Sequence, residues 1–183
     1  MMSRNKVLIA VLVILGVIGV AFLTSNKPNN EQQLSTGENP TVQTGWQEQT
    51  VDEIGLTLSY PSDLTFRKEI GDNDGNVRTV AFYIEKGDPN NPEYQLYALY
   101  LADKEGSAQD LEKAKTGMDF DSIKEASIDG YIGTEGIANA NDPKKHYLTV
   151  ILKDGRLFSV STYPPQPENK ELTDKIVKTF NFQ

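Results

Sequence analysis

An unbroken apolar run, Val7–Leu23, follows a basic start that contains Arg4 and Lys6. The run is about 17 residues long, which is the lower end of the length that crosses a bilayer as an α-helix. Inside lipid such a segment must be helical, because only its own backbone can satisfy its N–H and C=O groups. The run therefore predicts a transmembrane helix at residues 7–23, preceded by a short N-terminal segment at residues 1–6.

Two interpretations of this run remain open, an uncleaved anchor and a cleaved signal peptide. Signal-peptide cores are usually shorter and are followed by a small-x-small cleavage site. The one such triplet near the end of the run, residues 19–21, lies inside it, which favours the anchor. The basic residues before the run then place the N-terminus in the cytoplasm and the rest of the chain outside. The predicted localisation is the cell membrane, as a single-pass protein.

The charge and the missing cysteines exclude several classes of function. The formal net charge is −8, and there is no cysteine. Because nucleic-acid binding depends on Lys and Arg neutralising phosphates, an acidic chain is not expected to bind nucleic acid. Without cysteine there are no disulfides, thiolate metal sites or catalytic thiols.

Two further regions follow the apolar run. Residues 24–45 are rich in Asn, Gln, Thr, Ser, Pro and Gly, which predicts a flexible polar linker. Residues 46–183 alternate apolar and polar residues between turn signals, as strands do. Asp129-Gly130 and Asp154-Gly155 each predict a two-residue hairpin turn. A helix is predicted to begin at Ser107, and another spans Asn169 to Phe180.

The segments Tyr94–Ala102 and Tyr147–Leu152 carry apolar residues on both faces of their predicted strands. A sheet open to water on one side would alternate apolar with polar residues, so we expect these strands to be covered on both sides. The predicted fold is an α/β (α+β) sandwich. It consists of a mostly antiparallel sheet of about seven or eight strands with helices on both faces, in addition to the N-terminal transmembrane helix.

Four stretches of residues 46–183 resemble the PsbP-like family, which has the Mog/PsbP-like fold. They are GLTLSYPSD from Gly55, Ile128-Asp-Gly130, Phe158-Ser-Val160 and the end of the chain from Lys178 to Phe182. Leu64 departs from the pattern, because the family often has tryptophan there. The resemblance implies a domain on the export side of a membrane that docks on membrane proteins, in a family linked to calcium and manganese.

The turn Asp72-Asn73-Asp74-Gly75-Asn76 contains the best metal candidates, Asp72, Asp74 and Asn76. Calcium takes six to eight oxygen ligands, and closely spaced Asp and Asn side chains could supply several of them. A plain hairpin turn explains the same residues, since Asp, Asn and Gly are the usual turn formers. No other cofactor is predicted.

Catalytic candidates are few. His146 is the only histidine, and a lone imidazole cannot build a zinc site, so we expect a surface histidine. No G-x-S-x-G motif is present. Four carboxylates clustered in sequence could in principle do acid–base work: Asp119, Asp121, Glu125 and Asp129. Asp119 and Asp121 lie where a helix is expected to pass into a strand, so we expect these two to be solvated.

Aromatic residues at Trp46, Tyr94 and Tyr163 could form an interface for a partner. The predicted function is a non-catalytic, membrane-tethered domain that docks on or scaffolds another envelope protein. A domain that binds a divalent cation or a small ligand is the first alternative. A hydrolase, which would need His146 close to a serine and a carboxylate, is the remote one.

Overall fold

The computed structural model describes residues 44–73 and 75–183. These residues form ten strands, two short helices and two single-turn 3₁₀ segments. The strands and helices are β1 (Trp46–Val51), β2 (Leu56–Pro61), β3 (Thr65–Asn73), β4 (Asn76–Asp88), β5 (Asn91–Glu105), α1 (Ala108–Lys115), β6 (Lys124–Ile128), β7 (Tyr131–Ala138), β8 (His146–Lys153), β9 (Arg156–Tyr163), α2 (Pro167–Val177) and β10 (Asn181–Phe182). The strands form two antiparallel sheets, a large one in the order β3-β4-β5-β9-β8-β7-β6 and a small one in the order β1-β2-β10.

Short turns connect most neighbouring strands of the large sheet. Asp129 and Gly130 join β6 to β7 with φ angles of 47° and 81°, and Asp154 and Gly155 join β8 to β9 with 51° and 71°. Two consecutive positive φ angles are the signature of the hairpin turns whose twist matches that of the strands. Both predicted hairpins are confirmed.

The large sheet packs one face against the small sheet. This face, which we call the core face, carries Phe82, Ala98 and Val160 side by side on β4, β5 and β9. Leu56 and Leu58 of β2 join them in one buried cluster. Alternation along each strand therefore determines which residues enter the main core.

Helix α2 closes the same cluster. Ile176 is fully buried there, and Leu172 and Val177 pack against it. Pro167 occupies the first turn of the helix, where its missing N–H has no intrahelical partner to lose. Beyond the helix, Phe180 contacts Phe82 with ring centroids 6.1 Å apart. The predicted apolar face of this helix is confirmed.

The opposite face of the large sheet, which we call the open face, carries Tyr83, Tyr97 and Ser161 in one cross-strand row. The eight-residue helix α1 covers only the end of this face near Val150 and Leu157. Tyr83, Tyr97 and Ser161 remain partly exposed.

The predicted α/β/α sandwich is therefore wrong. The antiparallel sheet exists, with seven strands, but neither of its faces carries a layer of helices. The three-stranded sheet takes the place predicted for a helical layer on the core face. Leu99 of β5 lies on the open face and is partly exposed there. Apolar residues on both faces of this strand therefore do not imply that a layer of helices covers each face.

The predicted localisation is also corrected. Among the helices of residues 44–73 and 75–183, none is long and apolar enough to cross a membrane. The predicted span at residues 7–23, the segment 1–6 and the linker up to residue 43 lie outside the described residues.

Candidate docking groove

An open groove of about 650 Å³ lies between the small sheet and the end of α2. Its volume falls in the range of sites that hold a ligand or a few large side chains of a partner. Three apolar residues and three polar ones line it: Trp46, Pro61, Leu172, Lys175, Lys178 and Thr179. We call this set the Trp46 groove.

Strand pairing positions one wall of the groove. Trp46 and Pro61 are directly opposite each other in the β1–β2 ladder, so their side chains lie on the same face of the small sheet. The backbone N–H of Ser62 donates to the carbonyl of Gly45 at 2.9 Å, which closes the pair at its outer end. The half-buried indole of Trp46 therefore sits on a fixed backbone.

Helical spacing positions the other wall. Leu172, Lys175 and Lys178 are three residues apart, which places them on one side of α2 and its last turn. Thr179 joins the two walls, because the N–H of Ser59 donates to its Oγ1 at 2.8 Å. The same Oγ1 lies 2.7 Å from the carbonyl oxygen of Ile176. The groove thus lies between the end of the β1–β2 ladder and the end of α2, and the hydrogen bonds of Thr179 connect the two.

The rim of the groove is cationic. Lys175 and Lys178 are both exposed, and they are the charged residues among those that line it. Lys175 Nζ lies 2.8 Å from Glu171 Oε1, in an ion pair exposed on both sides. Lys178 forms no ion pair within residues 44–73 and 75–183. The groove therefore combines an apolar floor with positive charge.

The three predicted interface aromatics are not brought together. Trp46 lines the groove, but Tyr94 is 3% exposed and points into the core. Its hydroxyl lies 3.0 Å from Thr173 Oγ1, and burial raises the pKa of this phenol. Tyr163 pairs with Gln95, one residue along β5 from Tyr94, and so lies on the opposite face of the sheet.

Of the predicted metal ligands, Asp72 and Asn76 are exposed at the β3–β4 connection, and Asp74 lies outside the described residues. Asp72 pairs with Val77 across the hairpin. Within the described ranges, no group of three or more His, Cys, Asp or Glu side chains is arranged to hold a metal ion. Calcium binding at this turn stays a prediction.

The expectation of a surface histidine is wrong. His146 is 6% exposed, and its Nδ1 lies 2.7 Å from the carbonyl oxygen of Lys144. Burial lowers the pKa of this imidazole, because the charged form loses its hydration, although the carbonyl partner opposes the shift. Its ring is engaged by the backbone of the preceding loop.

Two of the four clustered carboxylates have structural partners. Asp119 Oδ1 accepts a bond from the N–H of Asp121 at 3.3 Å and so caps a 3₁₀ turn. Asp129 Oδ2 accepts from the N–H of Phe182 at 2.7 Å. All four carboxylates are exposed, which confirms the expectation for Asp119 and Asp121.

Comparison of the chain with models of known protein families, with curated proteins and with solved structures finds no match. The resemblance to the PsbP-like family accordingly stays a prediction.

Sequence reasoning missed five of the groove's six residues. The three-residue spacing of Leu172, Lys175 and Lys178 was visible, but it is also the ordinary pattern of a helix with one buried side. Pro61 was read only as the end of a strand. The signal that would have found the groove is the pairing of β1 with β2, which places Trp46 beside Pro61.

Proposed function

We propose that this chain is a non-catalytic docking domain that binds another protein through the Trp46 groove. The observation that carries the proposal is the combination of Trp46, Pro61 and Leu172 as an open apolar floor with Lys175 and Lys178 at its rim.

The floor of the groove suits an energetic anchor. Tryptophan is among the residues that most often dominate binding energy, especially where a rim of other residues excludes water around it. Burying apolar surface at such a site contributes about 25 cal/mol per Å². A partner side chain inserted beside Trp46 would gain this contribution without remodelling the domain.

The rigidity of the groove supports the same proposal. Its two walls are tied by Thr179, which contacts the backbone of both Ser59 and Ile176. Trp46 is held opposite Pro61 by the β1–β2 ladder. A preformed site loses less conformational entropy on binding than a flexible one, so more of the contact energy appears as affinity.

The predicted resemblance to PsbP-like domains agrees with a docking role, because that family is associated with binding to other proteins. The alternative of a divalent-cation site at Asp72 and Asn76 has no comparable support, since these two exposed residues pair with their neighbours in a hairpin.

The test is site-specific photocrosslinking in cells, with a photoreactive amino acid at Lys175 in the groove rim. The matched control places the same amino acid at Ile132, which is 65% exposed on β7 and does not line the groove. We expect a discrete protein adduct from position 175 only. The captured protein is then purified, and its affinity for the chain is measured with and without Trp46→Ala.

A loss of affinity of about tenfold or more on Trp46→Ala, corresponding to at least about 1.4 kcal/mol, is the expected result. Equal adducts from both positions, or equal affinity of Trp46→Ala and the unaltered chain for the captured protein, would overturn the proposal.

A further inference from the structure

We infer that the segment accepted by the Trp46 groove is acidic: an apolar anchor residue flanked by two carboxylates that pair with Lys175 and Lys178. This inference rests on the proposed docking function and specifies the chemistry of the partner.

The charge of the groove has one sign. Its lining among the described residues includes Lys175 and Lys178 and no carboxylate. The chain as a whole has a net charge of −8, so the charge of these two lining residues is opposite in sign to that of the chain. Complementary charge fixes specificity and register in interfaces, and like charges juxtaposed disfavour wrong partners. A basic segment would be repelled at this rim, and an acidic one attracted.

Both lysines are available to a partner. Lys178 has no ion-pair partner in the described part of the chain, and Lys175 has only the exposed Glu171. Exposed ion pairs contribute little, because both ions stay hydrated and lose side-chain entropy. When the partner's apolar anchor residue excludes water from the groove, a neighbouring carboxylate of the partner can therefore replace Glu171 beside Lys175 at small cost.

The spacing of the lysines limits how the carboxylates are arranged. Lys175 and Lys178 are three residues apart at the end of α2, a spacing that puts Cβ atoms about 5–6 Å apart on a helix. Acidic residues at i and i+2 of an extended segment are separated by about 6–7 Å, at a rise of about 3.3 Å per residue. Acidic residues at i and i+3 or i+4 of a helix fit as well. The floor formed by Trp46, Pro61 and Leu172 also requires an apolar residue of the partner close to its two acidic residues.

The competing occupant is the chain itself. The described residues begin at Thr44, two positions before Trp46, and residues 1–43 include Glu31 and Glu38. The experiment therefore has to separate a segment of this chain from a segment of a partner.

The experiment is a display selection of random 12-residue peptides against the full chain, with counter-selection against Trp46→Ala. Trp46 is the only tryptophan, so its emission reports on the groove directly. We expect selected peptides to carry an apolar residue flanked by Asp or Glu at the spacings above, and to shift the emission of Trp46.

Charge variants then test the pairing. Lys178→Glu should weaken binding of these peptides by about tenfold, and replacing the peptide's carboxylates with lysine should restore binding to that variant. The matched control is Lys104→Glu, which makes the same charge change at an exposed position of β5 outside the groove. It should change affinity by no more than about twofold, since Lys104 does not line the groove and salt weakens the interaction between exposed charges that are not in contact.

The outcomes separate this inference from the proposed function. Neutral or basic peptides that shift Trp46 emission and bind Lys178→Glu normally would overturn the acidic partner and leave docking intact. The absence of any peptide that depends on Trp46 would overturn both. If such peptides bind only after residues 1–43 are removed, and that removal itself shifts the emission, then the occupant is this chain and the inferred partner is wrong.

Discussion

Asp129 Oδ2 accepts a hydrogen bond of 2.7 Å from the backbone N–H of Phe182, 53 residues further along the chain. The bond joins the β6–β7 turn to the last strand of the small sheet. Phe182 also packs on Phe158 with ring centroids 5.4 Å apart, and Lys153 Nζ lies 4.9 Å from its centroid. A carboxylate in a hairpin turn thus helps to place the C-terminus against the core.

The first prediction concerns this bond. Asp129→Ala removes the acceptor and puts alanine at a φ of 47°, where Asp and Asn are tolerated better than most residues. We expect the free energy of unfolding to fall by about 1–2 kcal/mol. Urea denaturation followed by circular dichroism measures it. Asp129→Asn keeps an oxygen acceptor and the tolerance for positive φ, so it should lose less than half as much; an equal loss would contradict this role.

The second prediction concerns a buried hydroxyl group shared by three elements. Thr173 Oγ1 lies 3.0 Å from Tyr94 Oη and accepts a bond from Thr162 Oγ1 at 2.8 Å. Thr173→Val keeps the shape of the side chain but leaves the buried hydroxyls of Tyr94 and Thr162 without this hydrogen-bond partner. It should lower the free energy of unfolding by about 2–4 kcal/mol. Thr173→Ser, which keeps the hydroxyl, should cost about 1 kcal/mol.

A double-mutant cycle with Tyr94→Phe tests the pairing directly. Tyr94→Phe removes one of the hydroxyls that Thr173→Val leaves without a hydrogen-bond partner. The double variant should therefore lose less free energy of unfolding than the sum of the two single losses, by about 0.5–1.5 kcal/mol. Strict additivity would show that Tyr94 and Thr173 do not interact.

The third prediction concerns the close approach of β7 and β8 at Gly133. A Cβ on Gly133 would collide with the carbonyl oxygen of Val150, a backbone atom that cannot move without breaking the ladder. Gly133→Ala should therefore destabilise the domain by about 2–3 kcal/mol or more. Gly117→Ala is the matched control, because its nearest atom would be 3.7 Å away. Thermal unfolding of each variant tests this prediction, since Gly133→Ala should melt at a lower temperature than Gly117→Ala. Similar melting temperatures would contradict it.

Local features of the fold were predictable from sequence, and its layers were not. The hairpin at Asp129-Gly130 and the capping of α1, where Asp110 Oδ2 accepts from the N–H of Ser107 at 3.1 Å, depend on residues close in sequence. The second sheet depends on β1, whose segment Trp46–Val51 is mostly polar and has no alternation strong enough to predict a layer. Its pairing with β2 became visible only in three dimensions.

The candidate groove shows the same limit. Trp46 could be selected from sequence as an aromatic residue at a domain boundary, but nothing local indicates that Lys178 lies near it. Tyr94 and Tyr163 illustrate the opposite error, because aromatic residues on strands divide between core and surface according to register. The burial of His146 likewise depends on neighbouring strands.

The fourth prediction concerns pH. The pKa of His146 is lower in the folded protein than its ordinary value of 6.5, so below about pH 6.5 the unfolded chain binds the proton more readily. The free energy of unfolding should be unaffected by His146 above that pH. It should fall as the pH drops from about 6.5 to 5, at no more than about 1.4 kcal/mol per pH unit. The free energy of unfolding, measured by denaturation across this range, should depend less steeply on pH in His146→Gln. An unchanged slope of this free energy against pH would mean that other groups cause it.

The fifth prediction is that Lys178 at the rim of the groove can be substituted with little loss of stability, whereas Leu172 in its floor cannot. Lys178 is exposed and has no ion-pair partner among the described residues, so Lys178→Glu should lose only the favourable effect of a cation at a helix C-terminus, about 0.3–1 kcal/mol. Leu172 packs against the main core, and Leu172→Ser should cost about 2 kcal/mol or more. Chemical denaturation of the two variants under identical conditions makes the comparison. If Lys178→Glu destabilised the domain as strongly as Leu172→Ser, Lys178 would be a structural residue, and its effect on partner binding would no longer report on charge.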